Sequence, residues 1–304
     1  MTLTEQVTKN IISRLIKSQD YRIEIIALIN AHFLEFAIQF FEKIVQAKIR
    51  NKNVIDWYKR EFLNPNLSAD EIAIHSGLNR KTITNMFNSA TKQIVIDASN
   101  QHYELLHSSI SYLLDNQEDI DLNLTIKFRG VSVDLNINES LIVINTLAVK
   151  RAALRGGLWS TAGKKVEKPL MQTLCMLFDV PKDYYVVQLN RRVEKSSILN
   201  FEREVDFYLI CNGKKYKCEV KLMGKGNPES ADAVVARNSK ILVADKLSTL
   251  NKTQLNQLNI NWIELRSQNG YQKFEKILRD LGIPHKTFVG DLDSRLNEIF
   301  SMIF

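Results

Sequence analysis

Cysteine is scarce in this chain, and the cysteines it has are badly spaced for chemistry. The three in 304 residues, Cys175, Cys211 and Cys218, sit in apolar or strand-like surroundings with no Cys-x-x-Cys spacing. That excludes a disulfide framework and a cysteine zinc site, and leaves buried thiols as the expectation. The five histidines, His32, His75, His102, His107 and His285, show no ligand spacing either, and His32 lies on an apolar helical run where packing is its expected role. No apolar stretch reaches the roughly 18 residues that span a bilayer, and the opening MTLTEQVTKN lacks the basic-then-apolar pattern of a signal peptide. A cytoplasmic location follows by default. Internal repeats and low-complexity tracts are absent. What remains is 45% hydrophobic and 25% charged, enough for two globular domains or one large one. A formal charge of +7 favours a polyanionic partner and leaves DNA, RNA and acidic membranes open.

Glycine is missing altogether before Gly77, and residues 1 to about 112 carry apolar residues at spacings of three and four. This predicts a helical domain, bounded at 1–115, whose one break is FLNPNLSADE. There Ser68 stands three residues before Glu71, the reciprocal capping pattern that starts a helix. In the following EIAIHSGLNRKTITNMF, Ala73 is small enough for two helices to cross, and Gly77 suits a left-handed turn. Leu78 and Ile83 can pack inward, and Asn79 can cap. Residues 67–88 thus have the offsets of a helix-turn-helix. Its second helix would offer Arg80, Lys81, Thr84, Asn85 and Asn88 to phosphates and base edges. An ordinary helical corner needs the same packing residues and stays open as a reading.

After the polar stretch LLDNQEDIDLN the texture changes, and 116–304 reads as a second domain of alternating strands and helices. LNLTIKFRGVSVDLNI is a hairpin, ESLIVINTLAVKRAAL a helix, YYVVQL a strand, SADAVVAR a helix, KILVAD a buried strand, NWIEL a strand, and YQKFEKILRDLG a closing amphipathic helix. The predicted class is α/β (α+β), a mixed sheet flanked by helices and preceded by an all-helical domain.

The most informative stretch is EREVDFYLICNGKKYKCEVK, residues 202–221. Asn-Gly between two β-rich runs is the strongest short hairpin signal, because a type I′ turn needs positive φ at both central positions. With the turn at Asn212-Gly213, Cys211 pairs with Lys214, Asp206 falls opposite Glu219, and Glu204 opposite Lys221. Val205, Phe207, Leu209, Cys211, Tyr216, Cys218 and Val220 then share one face, the core face. Glu204, Asp206, Tyr208, Lys215, Lys217, Glu219 and Lys221 share the other. Asp206 and Glu219 would be a cross-strand pair with Cβ atoms roughly 5 Å apart, where like charges destabilise a sheet unless something compensates them. A hard divalent ion does so. Two carboxylates with a backbone carbonyl, here that of Val220, and waters suit Mg²⁺. Lys221 would hold or help deprotonate an attacking water and offset charge on a phosphate. The competing reading is a solvated hairpin face, since an acid-x-Lys triplet arises by chance.

At these residues the sequence resembles the PD-(D/E)XK nuclease superfamily: Asp206 matches the first acid, Glu219 and Lys221 the second acid and the lysine, with Val205 in place of the family's proline. GGLWSTAGKKVEKPLMQTLCMLF followed by REVDFYLI and KCEVKLMGKGNPESADA resembles a type II restriction endonuclease of the CfrBI family, over residues from about 150 to 250. The resemblance implies a restriction-endonuclease-like core at 116–304, Mg²⁺ as cofactor, double-stranded DNA as substrate, and 5′-phosphate and 3′-hydroxyl ends. A homodimer reading a palindrome would supply one active site per strand. It also implies a further acid on a preceding helix. Glu167 fits, at the entrance of a helix that Pro169 is expected to start and that buries Leu170, Leu174, Leu177 and Phe178. An acid complementing the helix dipole accounts for Glu167 equally well.

The segment LMGKGNPESADAVVARNSK follows the catalytic strand directly. Gly224, Gly226 and Pro228 suit a loop that ends in a helix N-terminus. Lys225, Asn227, Glu229, Ser230 and Arg237 carry the donors and acceptors for base edges, as residues of any solvated loop also do. Arg155, Lys164, Lys165, Arg191 and Arg192 would contact phosphates or simply form a solvated basic surface. Two rival functions stay open: a repair or junction nuclease that recognises shape, and a non-catalytic regulator that binds DNA through the helix-turn-helix alone.

Overall fold

The structure, a computed structural model, describes residues 2–50, 54–115, 123–189, 205–222 and 239–304, with the backbone alone at Val54, Ser160, Thr161, Gln188, Leu189, Val205 and Asp206. The described residues fall into two compact units, residues 29–158 and residues 1–28 with 159–304. The chain passes between them inside two helices, so compactness divides it differently from the change of texture near residue 115.

In the 29–158 unit, helices supply most of the core. To it belong most of α2 (Arg22–Ile49), α3 (Val54–Phe62), α4 (Ala69–His75), α5 (Arg80–Phe87) and α6 (Lys92–Asp115). Phe40, Ile44, Tyr58, Phe62, Ile72, Ala73, Ile83 and Val95 meet in one buried cluster, each large side chain contributing roughly 1.5–3 kcal/mol on leaving water. Tyr58 lies at its centre. Fully buried, it stacks on Tyr103 with ring centroids 5.7 Å apart, and its hydroxyl donates to the His75 carbonyl at 2.9 Å and meets Thr146 Oγ1 at 2.5 Å.

The expected start of α4 is present in full: Ser68 Oγ accepts from the Glu71 amide and the Glu71 carboxylate accepts from the Ser68 amide. Gly77 has φ +90°, and a Cβ there would run into Asn145 and His102. Leu78 and Ile83 are buried, and Asn79 caps α5 by accepting from the Thr82 amide at 2.9 Å. A two-stranded antiparallel hairpin, β1 (Leu124–Phe128) and β2 (Val131–Leu135), turns at Arg129 and Gly130, both at positive φ. That matches the demand of a two-residue turn.

The 1–28/159–304 unit is built on a five-stranded mixed sheet in the order β3 (Tyr185–Leu189), β4 (Val205–Cys211), β5 (Lys214–Lys221), β6 (Ile241–Ala244), β7 (Asn261–Glu264). β3–β4 and β4–β5 are antiparallel, whereas β5–β6 and β6–β7 are parallel. β5 is therefore the strand at which the sheet changes sense. All four residues of β6 are buried, as expected of a strand covered on both faces.

Four expectations need correction. First, the long N-terminal helical run is interrupted before FLNPNLSADE. α1 (Leu3–Ile16) ends at Lys17, Ser18 takes φ +62°, and Asp20 Oδ1 accepts from the Arg22 amide at 3.0 Å where α2 begins. The sequence marks this gap only by the polar run KSQD at 17–20.

Second, α2 is long and apolar enough to cross a membrane by length and composition, although only 28% of the relevant window is buried. The 18-residue limit is thus reached once interspersed polar residues are allowed.

Third, Pro169 does not start a helix: α7 (Ile137–Leu177) runs straight through it. Ala162 and Val166 extend the buried stripe of Leu170, Leu174 and Leu177 upstream of the proline. Burial of that stripe outweighs the roughly 3 kcal/mol that an interior proline costs.

Fourth, YQKFEKILRDLG does form the helix α9 (Lys273–Asp280), but the chain closes with α10 (Leu292–Ile303). There Asp291 caps by accepting from the Ser294 amide at 2.7 Å, and Leu296, Ile299 and Phe300 are buried. A further short helix, α8 (Thr249–Gln257), stands between β6 and β7. The helix expected at SADAVVAR lies outside the described residues.

Candidate active site

The hairpin turns where Asn-Gly places it. Asn212 and Gly213 have φ +50° and +71°, and β4 pairs with β5 from Cys211↔Lys214 to Phe207↔Cys218 in the expected register. Phe207, Leu209, Cys211, Cys218 and Val220 are buried, as a core face requires. Asp206 and Glu219 are the next residues along the two strands. The backbone of Asp206 pairs with Gln188 of β3, while its side chain lies outside the described residues.

On the opposite face of β5 Glu219 departs from its neighbours. Lys215 is exposed and Lys217 half-buried, yet Glu219 is only 6% exposed. Lys221 Nζ stands 2.8 Å from Glu219 Oε1. A buried carboxylate is costly to desolvate, and a close ammonium compensates it in part. The pair sits at the carboxyl end of β5, where Lys221 registers with Ala244 of β6 and Ala244 with Glu264 of β7. In open α/β sheets ligands bind in the crevice outside the carboxyl ends of the parallel strands. Burial pushes the Cys218 thiol up to about 12 and raises Cys175 well above its ordinary value, so both remain thiols.

Other expected residues are scattered. Glu167 is half-buried inside α7, well past its first turn, so complementing a helix N-terminus is not its role. Lys225, Asn227, Glu229, Ser230, Arg237, Arg191 and Arg192 lie outside the described residues. Arg155, Lys164 and Lys165 are exposed. In the other unit Arg80, Lys81, Thr84, Asn85 and Asn88 are all exposed on or just after α5, with Thr84 Oγ1 turned back to the Arg80 carbonyl at 2.9 Å.

Comparison with known proteins decides the family. A family model of the CfrBI restriction endonuclease matches residues 5–252, more than half of the chain. This chain belongs to the CfrBI restriction endonuclease family. No curated protein and no solved structure gives a match. Family membership makes the chain a nuclease of the restriction class. The match reaches far beyond the 150–250 stretch that carries the resemblance in the sequence, so the N-terminal helices of this CfrBI-family chain are part of the family's common sequence.

Sequence reasoning missed a set of contacts at and near the exit of β5. Tyr21, 2% exposed, donates its hydroxyl to the carbonyl of Leu222 at 3.0 Å. Asp20 accepts from Arg266 at 3.0 Å, and the Asp245 amide points to the Lys221 carbonyl at 3.4 Å. The Tyr21 and Asp20 contacts join segments more than 200 residues apart, and no local spacing announces them.

Proposed function

We propose that this protein is a Mg²⁺-dependent type II restriction endonuclease that hydrolyses both strands of double-stranded DNA at a short palindromic site. The observation that carries the reading is the buried Glu219 in contact with Lys221, at the strand where the sheet changes sense, in a chain of a restriction endonuclease family. If the β4–β5 ladder continues by one pair, Asp206 stands across from Glu219, and the pair of carboxylates forms the metal-dependent core of a PD-(D/E)XK nuclease.

The donor chemistry fits a hard cation. Glu219 and Asp206 offer carboxylate oxygens, Val220 a carbonyl, and Glu167 a further acid. Among the described residues no group of three His, Cys, Asp or Glu gathers at one point; Asp206 and water would complete the set. Bound Mg²⁺ supplies polarisation of the phosphoryl oxygen and a more acidic water. Lys221, held by Glu219, donates to that water or to the non-bridging phosphate oxygen as negative charge grows there. Water attacks the phosphorus in line as the bond to the 3′ oxygen breaks; the water's proton passes to solvent and the leaving 3′ oxygen takes one from solvent, giving 5′-phosphate and 3′-hydroxyl ends.

Residues 116–304 act as the nuclease domain in this reading and residues 1–115 as a helical domain with a helix-turn-helix-like segment at 67–88. Lys225, Asn227, Glu229, Ser230 and Arg237 read bases after β5. Arg80, Lys81 and Asn85 contact DNA from α5, whose exposed polar face and capped, glycine-turned entrance favour that use. A cytoplasmic homodimer, one site per strand, acts within a restriction-modification system.

The test replaces Lys221 by Ala and, separately, Asp206 by Asn. Each variant is expected to lose cleavage by about a hundredfold or more while holding DNA in a gel-shift assay with Ca²⁺. A variant that still cuts at the wild-type rate contradicts the assignment. Binding without any cleavage by the wild type would instead favour the non-catalytic regulator, and cutting confined to branched DNA the junction nuclease.

A further inference from the structure

The junction between α1 and α2 makes four contacts, three at the carboxyl ends of the parallel strands and one to α10. Ser18 Oγ donates to the Ser267 carbonyl at 2.6 Å, and Lys17 pairs with Asp293. Asp20 takes Arg266 Nη2 at 3.0 Å and also holds Arg22, and these guanidinium contacts keep its carboxyl well below the usual carboxylate range. Tyr21 reaches deepest. Its hydroxyl donates at 3.0 Å to the carbonyl of Leu222, the residue immediately after Lys221. Beside it, Asp245 is fully buried at the end of β6. Its amide faces the Lys221 carbonyl at 3.4 Å, and its carbonyl accepts from the Arg266 amide at 3.0 Å. Burial, then the charge of Asp245, raises the Tyr21 phenol above its ordinary range, so it stays a neutral donor.

Tyr21 therefore acts on backbone, at the carboxyl end of β5. The ladder with β6 ends at Lys221↔Ala244. Leu222, next in sequence, has its carbonyl held by Tyr21 instead. A strand's last side chain swings with the peptide that follows it. Fixing the Leu222 carbonyl thus restricts the backbone from which Lys221 reaches Glu219.

We infer that Tyr21 is a positioning residue of the active site, fixing the exit of β5 through the Leu222 carbonyl so that Lys221 stays beside Glu219. The N-terminal junction then governs the chemical step and not merely the stability of the fold. This inference rests on the role given to Lys221 above.

Tyr21→Phe keeps the ring and removes only the hydroxyl; Ser18→Ala removes a neighbouring contact of the same junction that does not touch the exit of β5. Cleavage of plasmid DNA with Mg²⁺ is measured for wild type and both variants. In parallel, metal-free protein is treated with an amine-acylating reagent, and modification of Lys221 is followed by peptide mass spectrometry. Tyr21→Phe is expected to lower kcat about tenfold with KM for DNA within about twofold. Acylation of Lys221 should rise by about threefold or more as its constraint loosens, with Ser18→Ala like wild type in both assays. Wild-type kcat and Lys221 reactivity in Tyr21→Phe would overturn the inference, as would equal losses in both variants, which mark a structural clamp only. Should wild type cut no DNA, the nuclease reading fails, and the acylation result alone decides the part played by Tyr21.

Discussion

Glu219 and His75 are among the titratable side chains buried in the fold, and each has its own reason. Glu219 is compensated by Lys221. His75, 8% exposed, is stacked against Phe62 with centroids 4.4 Å apart, and its Nδ1 faces the Glu71 carbonyl at 2.7 Å, so Nδ1 carries the proton of a neutral ring. Burial lowers its pKa from 6.5 to about 4, against the opposing pull of the Glu71 contact. The native state thus binds fewer protons than the unfolded chain between these values. Its share of stability is complete above pH 6.5 and is lost as pH falls toward 4, a change on the order of 3 kcal/mol. Thermal denaturation followed from pH 7 to pH 4 should show His75→Phe with a flatter fall in Tm than wild type. Parallel slopes would mean that the ring does not titrate across unfolding.

Among the elements, the β4–β5 hairpin bears most on the account because its turn sets the register of the candidate site. Gly213 has φ +71° and open space around the place of a Cβ, so an alanine there meets strain alone. Gly213→Ala should lower stability by about 1 kcal/mol, seen as a lower urea midpoint at unchanged slope. An unchanged midpoint would show that the turn relaxes freely.

This hairpin was also the most legible part of the sequence, since Asn212-Gly213 and strict alternation fix turn, register and faces together. Ser68 and Glu71 announced α4 in the same local way. What stayed hidden depends on distant partners. Pro169 looked like a helix start because the local cost of proline is large, yet the stripe from Ala162 to Leu177 packs as one face and carries α7 through it. The Tyr21–Leu222 contact has a sequence separation of 201 and leaves no periodic trace. Ser18 at φ +62° is a break that the sequence marks only by the polar run KSQD at 17–20.

At the scale of the molecule, the basic balance of +7 and the two units suit a protein that meets DNA over a wide surface. If Lys and Arg side chains from α5 and from the nuclease domain both contact phosphates, affinity for DNA should fall steeply with salt. Arg80→Ala and Lys81→Ala together should make the slope of log K against log salt shallower by about 2. An unchanged slope, measured by fluorescence anisotropy, would remove α5 from the interface. The claim on which everything else depends is metal-assisted hydrolysis through Asp206, Glu219 and Lys221. It is tested most directly by digesting a mapped plasmid with wild type and Glu219→Gln in Mg²⁺ and sequencing the ends. Discrete fragments with 5′-phosphates at one repeated sequence from wild type, and intact plasmid from Glu219→Gln, are the predicted result; equal cutting by both proteins, or none by wild type, would contradict it.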